Sequence, residues 1–449
     1  MPRAFSVLPA FLPAALLAPC LAAAQGPEFT RLRLDSTFYS EGVHAADLDA
    51  DGALDVIAGP YWYKGPSFAQ KTPFRSPRST PFPVTGDADC YAIFPYDFNG
   101  DAWPDILSFR VAGGAEAVWY QNPGLTATTW VERVAFSAVH NESPAFVDVD
   151  GDGKPELVTN SARFGGWVSP DWSNLNATWT FRAVTTQGPA TWSQFTHGAG
   201  AGDMNKDGRI DLLFPEGWWE QPASASTAPW THHPAPFWGK ALTGEDYGGA
   251  QMHVYDVDGD GDNDVVTALQ AHGWGLAWFE KVDTGFVRRV VVNTRADSAQ
   301  YGAAFSQIHA VALADLDGDG LKDIVAGKRR GAHGNGLGTT ELNAAPVLYW
   351  FKLTRPQGQP ARFEPRLIDT ASGIGTQITL VDVNKDGRLD ILTSARRGTF
   401  VFLNQMASSS VHRGRGPGFT PPFRNEFAPG RDAAGRKRFE TECRECVAP

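Results

Sequence analysis

Residues 315–323 read DLDGDGLKD, residues 256–264 read DVDGDGDND, and residues 382–390 read DVNKDGRLD. Each stretch places a carboxylate or amide at positions one, three and five, a small residue at six and an acid at nine. Hard oxygen donors at these offsets around a tight turn suit calcium, with the position-seven carbonyl and the position-nine acid completing the shell. One match would be ordinary Asp-Gly turn chemistry, so the number of copies decides. Four more occur, at 47–55, 97–105, 148–156 and 203–211, and the seven first aspartates stand 50 to 67 residues apart. The candidate calcium ligands are Asp47, Asp49, Asp51 and Asp55; Asp97, Asn99, Asp101 and Asp105; Asp148, Asp150, Asp152 and Glu156; Asp203, Asn205, Asp207 and Asp211. In the last three loops they are Asp256, Asp258, Asp260 and Asp264; Asp315, Asp317, Asp319 and Asp323; Asp382, Asn384, Asp386 and Asp390.

EF-hands are excluded. That loop needs Glu at position twelve between two helices, whereas position twelve here is Ala58, Ser108, Thr159, Phe214, Thr267, Ala326 and Thr393. The flanks are short β-branched runs such as Val325-Ala326 and Val265-Val266-Thr267, so each loop joins two strands. An aromatic third strand follows, as in Trp119-Tyr120 or Tyr349-Trp350-Phe351, and a fourth precedes the next loop, as in Phe286-Val287-Arg288. Four strands per repeat of roughly 50 residues describe a propeller blade. The last repeat stops after its third strand near Asn404, while Phe29 to Leu34 form a strand with no blade before it. The expected fold is therefore all-β, a seven-bladed β-propeller over 28–405, closed by pairing of the N-terminal strand with the last blade. Such closure removes an open sheet edge.

Composition agrees. With 47 Gly and 32 Pro in 449 residues, long helices are disfavoured. The loop positions hold 25 of the 50 acidic residues, so the net charge of −11 reflects cation shells, and a general nucleic-acid binder is excluded. Residues 1–24 read as a signal peptide, with Arg3, an apolar Val7–Leu21 stretch and Ala22-Ala23-Ala24, implying a secreted or periplasmic protein. No transmembrane segment is expected in the mature chain. Residues 406–449 read as a flexible Arg/Gly/Pro-rich tail with a lone Cys443-x-x-Cys446, a docking segment for a protein partner.

If the loops crowd one end of the ring, residues before each first strand and after each second strand meet at the other. The first set holds His44, Tyr91, Glu142, His197, His253, His309 and Thr376; the second includes Arg163, Trp218, His272, Lys328, Arg329, His333 and Arg396. Titratable and aromatic groups converging on one mouth mark a site. His197, His253 and His309 are expected to hold zinc or another divalent transition metal. His272, His333 or Glu142 would act as base and Lys328 or Arg163 would steady an enolate. Trp218 or Trp274 would stack on the flat face of a ligand. The competing reading for each histidine is an ordinary hydrogen-bonding residue, and for the tryptophans it is blade packing.

On these repeats, the chain resembles the FG-GAP/VCBS family of integrin-alpha-like propellers. The stretches GGAQMHVYDVDGDGDND, IHAVALADLDGDGLKDIVAGKR and GTQITLVDVNKDGRLDIL are similar, more narrowly, to the propeller domain of aldos-2-ulose dehydratases. That resemblance implies removal of water from keto-sugars. Those enzymes carry cupin domains after the propeller, and residues 406–449 are too few for one. Three functions are therefore in view: a secreted lyase acting on a keto-sugar or uronic-type carbohydrate by metal-assisted β-elimination; a non-catalytic carbohydrate- or protein-binding propeller of the adhesion type; or a structural module docked through its tail.

Overall fold

A computed structural model of the chain describes residues 28–406, apart from 111–114, 127–128, 190–191, 193, 240–247 and 332–339. The signal-peptide reading of 1–24 and the tail from 407 onward lie outside the described residues. The second strand of each repeat explains the architecture best. Asp323–Gly327 and Asp390–Ala395 are buried at every position. A Val/Ile/Leu run without polar alternation suits a strand covered on both faces, and here the covers are the neighbouring sheets. The fourth strands instead face water, as in Gly285–Val292, exposed at half of its positions.

The described strands form seven four-stranded antiparallel sheets. Their first strands are His44–Ala46, Cys90–Tyr96, Ala145–Val147, Gly200–Gly202, His253–Tyr255, Val311–Ala314 and Ile378–Val381, numbered here as blades one to seven. Blades one to six each use four consecutive strands. Blade seven has three, and Phe29–Asp35 supplies its fourth by pairing antiparallel with Gly398–Asn404, from Phe29 opposite Asn404 to Asp35 opposite Thr399. The exchange expected from the repeat count is thus present, because Gly398–Asn404 would otherwise leave one edge unpaired. No helix among the described residues is long and apolar enough to cross a membrane.

Third-strand indoles fill the spaces between blades: Trp119, Trp167, Trp219, Trp278 and Trp350 are all buried. Toward the axis, blade four presents the small strand Gly200–Gly202. A Cβ added to Gly200 would lie 2.2 Å from the Met252 carbonyl oxygen, so only glycine lets blades four and five approach this closely. Two glutamines satisfy the inner strand edges, which no further strand covers. Gln377 accepts from the Val43 and Ile93 N–H groups at 3.1 and 3.0 Å. Gln251 accepts from Val311 N–H at 3.1 Å and donates to Thr376 O at 3.0 Å.

Candidate active site and cation loops

The aspartate loops have a division of labour that the spacing alone did not resolve. The first Asp caps its own turn; Asp382 accepts from Asp386 N–H at 2.9 Å and Gly387 N–H at 2.8 Å. The position-nine acid, expected to close a cation shell, also clamps the loop. Asp390 accepts from Val383 N–H at 3.0 Å and Asn404 N–H at 2.8 Å, tying the loop to the end of the third strand. Asp55, Asp105, Asp211, Asp264 and Asp323 repeat this pair of contacts. Burial pushes Asp55, Asp105, Asp264 and Asp323 up to about 7. Carboxylate oxygens nevertheless converge within 4.8 Å in four loops: Asp47/Asp49/Asp55, Asp148/Asp150/Glu156, Asp256/Asp258/Asp260 and Asp315/Asp317/Asp323. In the remaining three, the Asn at position three donates to the acid at position five, at 2.9 to 3.0 Å.

At the opposite end, three imidazoles meet. Each of His197, His272 and His309 offers a ring nitrogen, and these atoms lie within 4.8 Å of one another. Ring centres are 5.0 Å apart for His197 and His272, 5.4 Å for His197 and His309, and 5.1 Å for His272 and His309. His197 and His309 are buried and His272 is half-buried, so the cluster has one face toward solvent. His309 Nδ1 lies 3.3 Å from the Gln307 carbonyl, and its Nε2 has no hydrogen-bond partner among the described residues. Burial first, then Arg329 and the two neighbouring rings, hold His309 well below the ordinary imidazole range. A neutral ring is the state that binds a metal. Three imidazoles with an accessible side match the donor set of a catalytic zinc site.

Glu142 adjoins this cluster, with Oε2 3.9 Å from His197 Nδ1. Burial pushes its carboxyl up to about 8 against the pull of Arg329. Next to it, Arg329 clasps Glu41 through two hydrogen bonds, of 2.5 and 2.7 Å, with both side chains almost fully buried. Asp87 accepts from Arg329 at 2.9 Å and from Arg396 at 2.8 Å, and the Tyr91 hydroxyl is 3.5 Å from Arg329.

The fold therefore brings together His197, His272, His309 and Glu142 but not every expected member. His253 is replaced in the imidazole cluster by His272. His253 sits three residues before the first Asp of its loop, whereas His197 and His309 sit six before theirs. Its ring faces Val311 O at 2.8 Å, deeper along the strand. Lys328 is buried on Ser306 Oγ at 2.9 Å and Thr340 O at 3.1 Å, not on the cluster. Arg163 is spent on the carbonyls of Pro189 and Gly188, at 3.1 and 2.5 Å. Trp218 stacks on His233 of the outer strand at 3.9 Å and so belongs to blade packing. Trp274 is half-buried, its backbone bridged to Ser306. His333 lies outside the described residues. Sequence reasoning missed Glu41 and Asp87; Glu41 shares the six-residue offset of Tyr91, Glu142, His197 and His309, which would have found it.

Residues 97–159 and 256–326 match the FG-GAP-like repeat. No curated protein matches the chain in sequence. Among solved structures, an Agrocybe aegerita lectin that recognises non-reducing terminal N-acetylglucosamine is 14% identical over 77% of this chain and 81% of its own, with a TM-score of 0.42. Rhamnogalacturonan lyase YesW is 12% identical over 85% of this chain and 77% of its own, with a TM-score of 0.43. BBS1N, solved in complex with ARL6DN, is 12% identical over 85% of this chain and 99% of its own, also at 0.43. At such identities nothing about ligand or activity passes from these proteins to this one. The matched repeats run from the loop of blade two into blade three and from the loop of blade five into blade six, so FG-GAP-like repeats are carried here by a seven-bladed β-propeller.

Proposed function

We propose that this propeller is a secreted, calcium-stabilised carbohydrate lyase whose site is the mouth opposite the aspartate loops. The observation that carries the reading is the convergence of His197, His272 and His309 beside Glu142. The three imidazoles would hold a divalent transition ion. Such an ion supplies a Lewis acid for a keto oxygen and for the charge that develops there when a neighbouring proton leaves. Glu142, 3.9 Å from His197, would accept or return that proton. The Arg329 and Arg396 guanidiniums orient substrate oxygens and offset negative charge. Calcium at the far rim would be structural, since protein oxygens ring each loop. The leader-like residues 1–24 support export.

The test is metal analysis of the purified full chain together with an elimination assay on keto-sugars, read by absorbance of the unsaturated product. His272→Ala should lose a transition ion while keeping calcium, and His253→Ala should keep both. Calcium alone in the wild type, with saturable sugar binding and no product, would replace this reading by that of a non-catalytic binding propeller.

A further inference from the structure

The charged corner beside the imidazoles is built around a replaceable carboxylate. Arg329 and Arg396 come from blades six and seven, each fourteen residues after the first Asp of its loop. Their guanidiniums converge on one oxygen, Oδ1 of Asp87, at 2.9 and 2.8 Å. Arg329, Arg396 and Glu41 are 1%, 4% and 0% exposed, so two cations and one anion are fixed in the interior. Asp87 supplies the balancing negative charge, and its side chain alone is open to water, at 34%. Arg396 Nη1 is also buried without a hydrogen bond, 3.3 Å from Glu41 Oε1, so this arginine retains donor capacity aimed into the corner.

Asp87 belongs to no blade. It sits on a strap between the strands Lys71–Pro73 and Cys90–Tyr96, of which residues 76–81 and 83–85 are exposed. Beyond Asp87 itself, the strap is held by a three-residue apolar cluster, Phe38, Phe82 and Ala88, separate from the blade cores. Phe82 meets Phe38 edge-on at 6.1 Å and donates its N–H to the Phe38 carbonyl at 3.2 Å, and an Arg75–Asp89 ion pair of 2.8 Å joins the two ends of the strap. A mostly exposed strap with so small a core of its own opens at lower cost than a blade.

We propose that the Arg329–Arg396 corner is a carboxylate subsite, that its ligand is a sugar acid of the uronate type, and that Asp87 is a tethered plug occupying it until the ligand arrives. The inference rests on reading the mouth as a carbohydrate site, and it adds a carboxylate to the groups its substrate must carry. Two guanidiniums from different blades recognise a planar carboxylate by forked hydrogen bonds, which a neutral hydroxyl cannot match. With Asp87 withdrawn, the corner keeps one uncompensated positive charge, and one incoming carboxylate restores the balance that Asp87 supplied.

The experiment is calorimetric titration of the full chain with sodium galacturonate and, separately, galactose, using wild type, Asp87→Ala and Asp87→Asn. Near-UV circular dichroism monitors the fold. A tethered competitor acts at an effective concentration in the millimolar range, so its removal should tighten galacturonate binding about tenfold or more. Galactose binding should not change. The proposal fails if both variants fold and bind galacturonate no better than wild type, or if galactose gains equally. It also fails if neither variant folds, since Asp87 is then a structural ion-pair partner. Metal content of the same samples separates the two readings. A transition ion retained without gain for galacturonate removes the subsite alone, whereas gain without any ion keeps the subsite and removes the lyase.

Discussion

Gly248 is packed so closely on His197 that a Cβ added to it would lie 2.1 Å from the His197 carbonyl oxygen. Its φ of 79° is in the left-handed region, and its carbonyl accepts the Ala271 N–H at 3.1 Å, next to His272. One glycine in blade five thus sets the backbone of two of the three imidazoles. Gly248→Ala should push these rings apart, lowering affinity for cobalt(II), used as a visible zinc substitute, at least tenfold, while calcium-dependent thermal stability stays within a few degrees. Unchanged cobalt affinity would show that the cluster does not depend on this packing.

Lys328 offers a test in pH. Burial, opposed by Glu341 and reinforced by Arg295, pulls its ammonium down to about 8. An unfolded chain keeps that proton to about 10.4, so between these values unfolding takes a proton up, and stability rises with pH. The gain from pH 8 to 10.5 is about 3 kcal/mol. Lys328→Met removes it, and the difference in urea unfolding free energy between wild type and variant should change by that amount across the window. A pH-independent difference would contradict the buried-ammonium account.

The ring was legible because its signal is local and repeated: turn, donors and flanking strands lie within a dozen residues of each first Asp. The mouth was legible only in part. His44 and His253 lie three residues before their first Asp, and His197 and His309 lie six before theirs. On an extended strand that difference is about 10 Å, enough to take His253 out of reach. Composition shows histidines near a strand start, but only alignment of the repeats by their loops shows which share a level. Asp87 had no such handle, because it stands ten residues before Asp97, in a connection between blades whose length varies around the ring. Trp218 and Trp219 were ambiguous for a different reason. Stacking on His233 and His232 from the adjacent strand is a pairing of registers that sequence does not announce.

Closure of the ring predicts two unequal effects on one strand. Phe29 is 9% exposed and meets Trp350 of blade six edge-on at 6.4 Å. Phe29→Ala should cost about 3 kcal/mol, the usual loss for a buried aromatic, and should expose the Gly398–Asn404 edge to pairing between molecules. Two residues along, Arg31 points to solvent and pairs with Asp369 at 2.8 Å. Arg31→Ala should cost less than about 1 kcal/mol. Urea unfolding and light scattering read both. Equal costs would mean that the strand is held by its ladder alone.

The seven loops do not offer a cation equal access. In loop six the Lys352 ammonium bridges Asp317 and Asp319, the latter at 2.6 Å, and in loop one Lys64 bridges Asp49 and Asp51, the latter at 2.7 Å. Each ammonium sits between the oxygens a cation would need. The cations nearest loop five are farther from their acids: Arg355 is 3.9 Å from Asp256 and Lys281 is 3.7 Å from Asp262. Loops one and six should therefore fill only at higher calcium, after the lysine is displaced. Lys352→Met removes the internal competitor and leaves the carboxylates of loop six to repel one another. In chelator its melting temperature should fall below that of wild type, and with calcium the gap should close as loop six binds about tenfold more tightly. Titration calorimetry and thermal scans with and without calcium measure this crossing. Parallel calcium responses in wild type and variant would mean that Lys352 never competes for the site.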